Sequence, residues 1–300
     1  MAGRQVKEDF PGLGGSRGAA CRACTPGLRY ALGMNHPGKV LVLADGGLAG
    51  LVAIAAAREA VSAYHAPVPA GQETPRPMVM FVPREASQTD LRSTAVRAQA
   101  QKYDVEVVAA PLGVGGLNIQ GGDSGLADSI SLSLAAGLAT AAGYPEVVWP
   151  AHFGEPGEPD EVGLDAAARA VDRAALATRL AALDSEEHCV PSIRIKTPLA
   201  DLSARQLAEV ALDLNVPIEL CWWWKAAELA GGMTSAATSV AMEQRHQWTA
   251  LFTQLGWRER AAESDGVVES DAGTQVQTPQ AGRSVAGMSV ALGARRRQRG

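Results

Sequence analysis

The sequence has few cysteines, few aromatic residues and no excess of basic charge. Its 300 residues include four cysteines, 5% aromatic residues and a formal net charge of -5. So few cysteines exclude a disulfide-stabilised scaffold and favour a reducing compartment, so we predict a cytoplasmic protein. Because the charge balance is acidic, it gives no electrostatic footprint for a nucleic acid, and we expect no direct nucleic-acid binding.

Long uninterrupted apolar runs are also absent from the sequence. The most apolar helical stretch, Leu126–Ala142, contains Asp128 and several Ser and Thr residues. A membrane span needs about 20 mainly apolar residues, so we predict a buried helix here and no membrane association. The first residues carry charges without an apolar core, which is not the pattern of a signal peptide.

Composition divides the chain into three parts. Residues 1–35 are rich in Gly and Arg, and residues 259–300 are rich in Gly, Ser, Gln and Thr. We predict a disordered leader and a disordered tail in these two segments. Residues 36–258 are predicted to form one domain, and Met34, just before it, is a second candidate start of translation.

Within residues 36–258, short apolar runs alternate with helical patterns. The predicted strands are Lys39–Leu43, Met78–Val82, Val105–Ala109, Glu146–Trp149 and Ile193–Ile195. The predicted helices are Leu48–Ala63, Leu91–Tyr103, Leu126–Ala142, Asp165–Leu183, Ser203–Leu214 and Thr238–Leu255. Strands that alternate with helices indicate an α/β fold with a doubly wound parallel sheet.

A glycine-containing turn follows the first predicted strand. We take its residues as the candidate site: Leu43, Ala44, Asp45, Gly46, Gly47, Leu48, Ala49 and Gly50. Ligands of doubly wound sheets bind beyond the carboxyl ends of the strands, where backbone N–H groups and a helix N-terminus attract phosphate. An ordinary strand-to-helix turn capped by Asp45 fits the same residues. Both interpretations stay open at this point.

The turn resembles the pyrophosphate loop of the ATP-pyrophosphatase (PP-loop) families, which reads Ser-Gly-Gly-x-Asp-Ser. The aligned residues keep both glycines, but Asp45, Ala49 and Gly50 replace three polar residues. The resemblance implies binding of ATP and Mg²⁺, weakened by these replacements. A phosphate about 4 Å from the Asp45 carboxylate costs roughly 4 kcal/mol at an effective dielectric of about 20. A bridging Mg²⁺ would reverse that sign, which leaves Asp45 open as a relocated metal ligand.

A longer motif lies in the segment from Ile193 to Trp224. It resembles the stretch of 7-cyano-7-deazaguanine synthases that reads roughly TPL-x-DLSK-x-E-I…GV-P-x-E-x-TWSC. The matching residues are Thr197, Pro198, Leu199, Asp201, Leu202, Ser203, Val216, Pro217, Glu219, Leu220 and Trp222. We expect Ser203 or Asp201 to cap the helix that follows.

The resemblance extends with gaps from about Lys39 to Trp257 and implies an adenine nucleotide α-hydrolase-like fold. It also implies ATP-dependent conversion of 7-carboxy-7-deazaguanine and ammonia to 7-cyano-7-deazaguanine, in queuosine biosynthesis. The last two positions of a Pro-Gly-Arg-Asn segment of this family align with Ala127 and Asp128, so the arginine of the family is missing. Loss of that cation weakens a site for an anionic ligand.

The family also binds structural zinc through four cysteines. The aligned positions here are Trp224, Met233, Ala236 and Ser239, and none of these side chains replaces a thiolate. We predict that the zinc site is degenerate and that zinc is lost. Trp222, Trp223 and Trp224 are predicted to pack where the metal held the chain.

The replacements affect charged and metal-binding positions, while the scaffold positions persist. This pattern indicates an impaired or inactive synthase and favours a non-catalytic pseudoenzyme that binds a ligand or acts as a partner subunit. A 7-deazaguanine or another small molecule is the expected ligand, and a protein partner is a further expectation. Another ATP-pyrophosphatase activity, the amidation or thiolation of a different substrate, stays open as an alternative.

Overall fold

The computed structural model describes residues 39–63, 76–83, 88–108, 124–188, 192–229 and 236–258. The predicted leader, 1–35, and the predicted tail, 259–300, lie outside the described residues. The fold below is therefore that of the predicted central domain.

Five short strands form one parallel sheet. They are β1 (Val40–Ala44), β2 (Met78–Phe81), β3 (Glu106–Val108), β4 (Glu146–Val148) and β5 (Arg194–Lys196). The strand order is β3-β2-β1-β4-β5, and every neighbouring pair is parallel. β1 is apolar along its whole length and buried on both faces, as expected of a central parallel strand.

Seven α-helices connect and cover the strands in the described part of the chain. They are α1 (Leu48–Ser62), α2 (Thr89–Tyr103), α3 (Ser124–Ala142), α4 (Leu164–His188), α5 (Ala204–Asp213), α6 (Trp222–Leu229) and α7 (Ala236–Gln254). A short 3-10 helix, Ile218–Leu220, precedes α6. The six predicted helices are confirmed, and α4 continues five residues past its predicted end at Leu183 to His188. The sequence pattern does not predict α6.

Alternate residues of the strands pack against helices on opposite faces of the sheet. Leu41 and Leu43 join α3 and α4 in one apolar cluster, whereas Val40 and Val42 face α1 and α2 in another. A third cluster joins α1 to the C-terminal helices α5, α6 and α7. The predicted doubly wound α/β fold is thus confirmed.

Helix α3 contains the segment Gly125–Ala142, with a mean hydropathy of 1.3 over 18 residues. It is the one described helix long and apolar enough to cross a membrane, by length and composition only. Only 33% of the segment is buried, so the prediction of a buried helix is right for one face alone. Leu132, Ala135 and Ala139 lie on that face and pack toward the sheet.

Ser203 begins α5 through a capping box. The Ser203 hydroxyl accepts a hydrogen bond from the Gln206 N–H at 3.3 Å, and the Gln206 side chain accepts one from the Ser203 N–H at 2.9 Å. Two otherwise unpaired N–H groups of the helix start are satisfied in this way. Of the two predicted caps, Ser203 is therefore the one that the chain uses.

Candidate ligand-binding cleft

The chain reverses direction across the sheet between β1 and β4. It runs from β1 outward through β2 to β3, and then returns to place β4 on the other side of β1. A crevice at such a switch point is where open parallel sheets bind ligands. Here a cleft of about 320 Å³ opens beyond the carboxyl ends of these two strands.

The loop from β1 to α1 forms one wall of the cleft. Six of the eight predicted site residues line it: Leu43, Ala44, Asp45, Gly47, Leu48 and Ala49. The other two, Gly46 and Gly50, belong to the same loop but are not among the described residues that line the cleft. A Cβ at Gly50 would lie 3.4 Å from the Ala44 side chain, which is ordinary van der Waals contact. Ligand binding by these residues stays a prediction.

Gly46 has the left-handed backbone conformation, with φ of +84°. A Cβ at this position would lie 2.8 Å from the Arg92 carbonyl oxygen, a distance that real side chains do not adopt. The Gly46 carbonyl accepts hydrogen bonds from the Trp222 N–H at 2.9 Å and from the Gln99 amide at 3.0 Å. Tertiary packing against α2 and α6 therefore fixes the turn.

Asp45 does not cap α1 in the way that the sequence suggests. The N-cap residue is Gly47, and no side chain accepts a hydrogen bond there. Instead, one carboxylate oxygen of Asp45, Oδ1, accepts a hydrogen bond from the Gly47 N–H at 2.9 Å. The carboxylate thus stabilises the turn by binding the N–H two residues later in the chain. It does not cap the start of α1, which faces the cleft.

The second carboxylate oxygen of Asp45 is bound to Arg92 of α2. Arg92 Nη1 lies 3.1 Å from Asp45 Oδ2 and 3.3 Å from the Asp45 carbonyl oxygen. At an effective dielectric of about 20, the attraction between the charges is on the order of 5 kcal/mol, before the cost of removing them from water. Both carboxylate oxygens are thus engaged by protein donors, and the role of Asp45 as a relocated Mg²⁺ ligand stays a prediction.

Arg92 is held by groups other than Asp45 as well. Its Nε donates to the Gln88 side chain at 2.9 Å, and its guanidinium carbon lies 4.2 Å from the centre of the Trp222 ring. The Arg92 side chain is only 10% exposed. A buried arginine with a stacked and hydrogen-bonded fork has one preferred orientation.

Arg92 is not predicted by the sequence pattern, whereas the arginine that the aligned family has on α3 is missing from the sequence. Ala127 aligns with that arginine, and Asp128, which aligns with the following asparagine, lines the cleft together with Arg92 of α2. The sequence does contain one indication of a special role for Arg92: Gln88, Arg92, Ala95 and Gln99 are spaced to lie on one face of a helix. In the structure all four are buried. Buried polar residues on one face of a helix mark a polar contact with another element.

Carboxylates outnumber cations in the lining of the cleft. Asp45, Asp128 and Glu155 contribute three, and Arg92 is the only lysine or arginine among the described lining residues. The imidazole of His152 also lines the cleft, and burial lowers its pKa, so the ring is neutral near pH 7. The apolar part of the lining is rich in aromatic rings, including Trp149, Phe153 and Trp248.

None of the aligned zinc positions carries a thiolate. Trp224 is 3% exposed and packs 5.9 Å from Trp223 and 6.1 Å from Trp257, measured between ring centres, which confirms the predicted tryptophan packing. Ala236 begins α7, Ser239 is exposed on that helix, and Met233 lies outside the described residues.

Cys221 is the cysteine nearest to the aligned zinc motif. Its side chain is fully buried, and burial raises the pKa of its thiol well above the ordinary value. Among the residues that the structure describes, no three His, Cys, Asp or Glu side chains come together as a metal site. Because Trp224, Met233, Ala236 and Ser239 offer no thiolate, the aligned positions do not match the four cysteines of that family, and the loss of zinc stays a prediction.

The strand order and the helices define a doubly wound α/β protein with a cleft at its switch point. No family model matches the chain, and no curated protein matches it. Among solved structures, it is similar to the U34-tRNA thiolase NcsA from Methanococcus maripaludis, which carries a [4Fe-4S] cluster. The identity is 12%, the TM-score is 0.40, and 86% of each chain is covered. So distant a likeness does not transfer the activity of the neighbour.

Proposed function

We propose that this chain is a non-catalytic relative of the ATP-pyrophosphatases that binds an uncharged or cationic small molecule in the switch-point cleft. One observation carries the proposal: Arg92, the only lysine or arginine described in the lining, is already in an ion pair with Asp45. A triphosphate would meet this neutralised pair together with the Asp128 and Glu155 carboxylates.

Electrostatics disfavours a triphosphate in this cleft. Two like charges about 4 Å apart cost roughly 4 kcal/mol at an effective dielectric of about 20. A cost of that size corresponds to about a thousandfold weaker binding. A neutral ligand avoids this repulsion, and a cationic ligand turns it into attraction.

The aromatic lining favours a planar ligand. Tryptophan and phenylalanine rings offer flat apolar faces, and the lining also contains polar atoms that can orient a ring by hydrogen bonds. The 7-deazaguanines suggested by the sequence resemblance are planar, and they differ in charge. The nitrile, 7-cyano-7-deazaguanine, is neutral, whereas 7-carboxy-7-deazaguanine carries a carboxylate.

Titration of the full chain with these two compounds, followed by tryptophan fluorescence, tests the proposal. We expect saturable binding of the neutral nitrile and binding of the carboxylate that is weaker by about tenfold or more. A reversed preference would argue for an anion site and against the proposal. Trp149 and Trp248 line the cleft, so occupation of the cleft should change the fluorescence signal.

A second candidate is a working ATP-pyrophosphatase that amidates or thiolates a different substrate. The start of α1 favours it, since the first N–H groups of a helix have no partner within the helix and attract phosphate. Leu48 and Ala49, which carry two of these groups, line the cleft. The synthase activity implied by the resemblance would require the same chemistry.

Release of AMP and pyrophosphate from MgATP, measured with and without 7-carboxy-7-deazaguanine and ammonia, separates the candidates. Under the main proposal no release is expected. The triple variant Asp45→Ser, Ala49→Asp, Gly50→Ser restores the polar loop of the families and serves as the comparison. ATP binding that appears only in this variant would mark the loop as a degraded phosphate site, whereas turnover by the native chain would favour the second candidate.

A further inference from the structure

We propose that the negatively charged Asp45 side chain takes the place of a ligand phosphate. It binds the two donors, Arg92 and the Gly47 N–H, that a phosphate would otherwise bind. Asp45 is then the specificity-determining residue that makes the cleft reject anionic ligands. This inference rests on the proposed function, because it concerns the selectivity of the same cleft.

The donors that hold the Asp45 carboxylate are of the kinds that bind phosphate. The Gly47 N–H, at the N-cap of α1, donates to Oδ1 at 2.9 Å, and Arg92 Nη1 donates to Oδ2 at 3.1 Å. A glycine N–H beside a helix start and an arginine fork form a common pair of donors for phosphate oxygens. In this chain a side chain of the loop itself satisfies both donors.

Arg92 is positioned independently of the carboxylate. The Gln88 side chain accepts from Nε at 2.9 Å, the Asp45 carbonyl accepts from Nη1 at 3.3 Å, and the guanidinium lies over the Trp222 ring. None of these three contacts uses the Asp45 side chain. Removal of its charge should therefore leave the guanidinium in place beside the cleft, which both residues line.

Replacement of Asp45 by asparagine tests the inference on the full chain, with inorganic pyrophosphate as the probe. Asparagine retains an oxygen for the Gly47 N–H but offers no charge to Arg92. We expect Asp45→Asn to have a lower melting temperature in sodium chloride, because a largely buried arginine has lost its counter-charge. Pyrophosphate should restore that temperature, and calorimetric titration should give an affinity at least about tenfold above that of the native chain.

A matched control lies at a second ion pair, remote from the loop in sequence. Arg205 binds Asp160 at 2.6 Å, where the side chains are 34% and 71% exposed. Asp160→Asn also removes one carboxylate, so it has the same net charge as Asp45→Asn. We expect no recovery by pyrophosphate beyond that seen in the native chain at matched ionic strength.

Two double variants show whether the response depends on Arg92. Asp45→Asn with Arg92→Lys keeps a cation and should keep part of the pyrophosphate response, whereas Asp45→Asn with Arg92→Gln should lose it. If Asp45→Asn does not fold, Asp45→Ser takes its place, since serine also removes the charge.

The inference is overturned if pyrophosphate stabilises Asp45→Asn no more than Asp160→Asn, or if the native chain binds pyrophosphate equally well. These outcomes are distinct from failure of the proposed function. That function fails through MgATP turnover or through preference for the carboxylate ligand, both measured on the native chain.

Discussion

At the scale of single residues, Gly46 and Gly143 share a positive φ but differ in their surroundings. A Cβ at Gly46 would meet the Arg92 backbone at 2.8 Å, whereas a Cβ at Gly143 meets nothing within 4 Å. The left-handed backbone costs an L-residue about 1–2 kcal/mol at either site. We expect Gly46→Ala to lower the free energy of unfolding by clearly more than Gly143→Ala, as measured by urea denaturation. Equal losses would mean that the contact with α2 does not constrain the turn.

His152 makes stability depend on pH. Burial lowers its pKa, while the backbone at Ser203 and Leu202 acts in the opposite direction. Above the unfolded pKa of about 6.5 the ring is neutral in both states and contributes no pH dependence. As the pH falls through that value, the unfolded chain takes up a proton and the folded chain does not, so folding stability falls until the folded pKa is reached.

The pH dependence is tested by urea unfolding at about pH 7.5 and pH 5.5. We expect the free energy of unfolding of the native chain to be lower at the acidic pH, and His152→Gln to reduce that difference. An unchanged difference in the variant would place the pH dependence on other groups.

The candidate residues were predictable to different degrees. The loop from Leu43 to Gly50 could be located from the sequence, because two glycines follow an apolar strand and the turn resembles a pyrophosphate loop; ligand binding by this loop stays a prediction. The ion pair between Asp45 and Arg92 could not be predicted from the sequence. The two residues lie 47 positions apart, and only the packing of α2 against the loop brings them together. A carboxylate in a phosphate loop predicts repulsion of anions, but does not reveal the cation that neutralises it.

At the scale of elements, the capping box fixes the start of α5. Ser203→Ala leaves the Gln206 N–H without its acceptor in a site where Ser203 is only 6% exposed. We expect a loss of about 1 kcal/mol in the free energy of unfolding. Ser133→Ala, on an exposed part of α3, is the control and should change stability by less than about 0.5 kcal/mol. Similar losses in both variants would contradict the role of the cap.

Helices α6 and α7 are joined by a cluster of aromatic rings. Trp224 lies between Trp223 and Trp257, and the Arg245 guanidinium is 4.1 Å from the centre of its ring. We expect Trp224→Ala to lower the free energy of unfolding by about 3–5 kcal/mol. Trp224→Phe, which keeps an aromatic ring in the cluster, should cost much less. Chemical denaturation checks both, and a small loss in the alanine variant would contradict the structural role of the cluster.

The elements with a clear hydrophobic pattern were predictable, and α6 was not. Strands such as β1 are short apolar runs, and the predicted helices have helical spacing or a capping residue. α6 begins with three consecutive tryptophans, all buried, so its apolar residues do not mark one face. Its position follows from tertiary contacts, among them the hydrogen bond from the Trp222 N–H to the Gly46 carbonyl.

At the scale of the whole molecule, the alternation of strands and helices was enough to predict the doubly wound sheet. The strand order then places the cleft between β1 and β4, as the general rule for such sheets requires. Sequence alone could not predict the charge balance of the cleft, because Asp45, Arg92, Asp128 and Glu155 come from four separate segments. The proposal of a binding protein rather than a nucleotide-cleaving enzyme rests on that balance.

Isothermal titration of the native full chain with MgATP shows whether the cleft rejects a triphosphate. Because the Asp45 carboxylate already binds Arg92 and the Gly47 N–H, we expect no measurable binding at millimolar nucleotide. Binding in the micromolar range would contradict this expectation and would show that the loop still accepts phosphate.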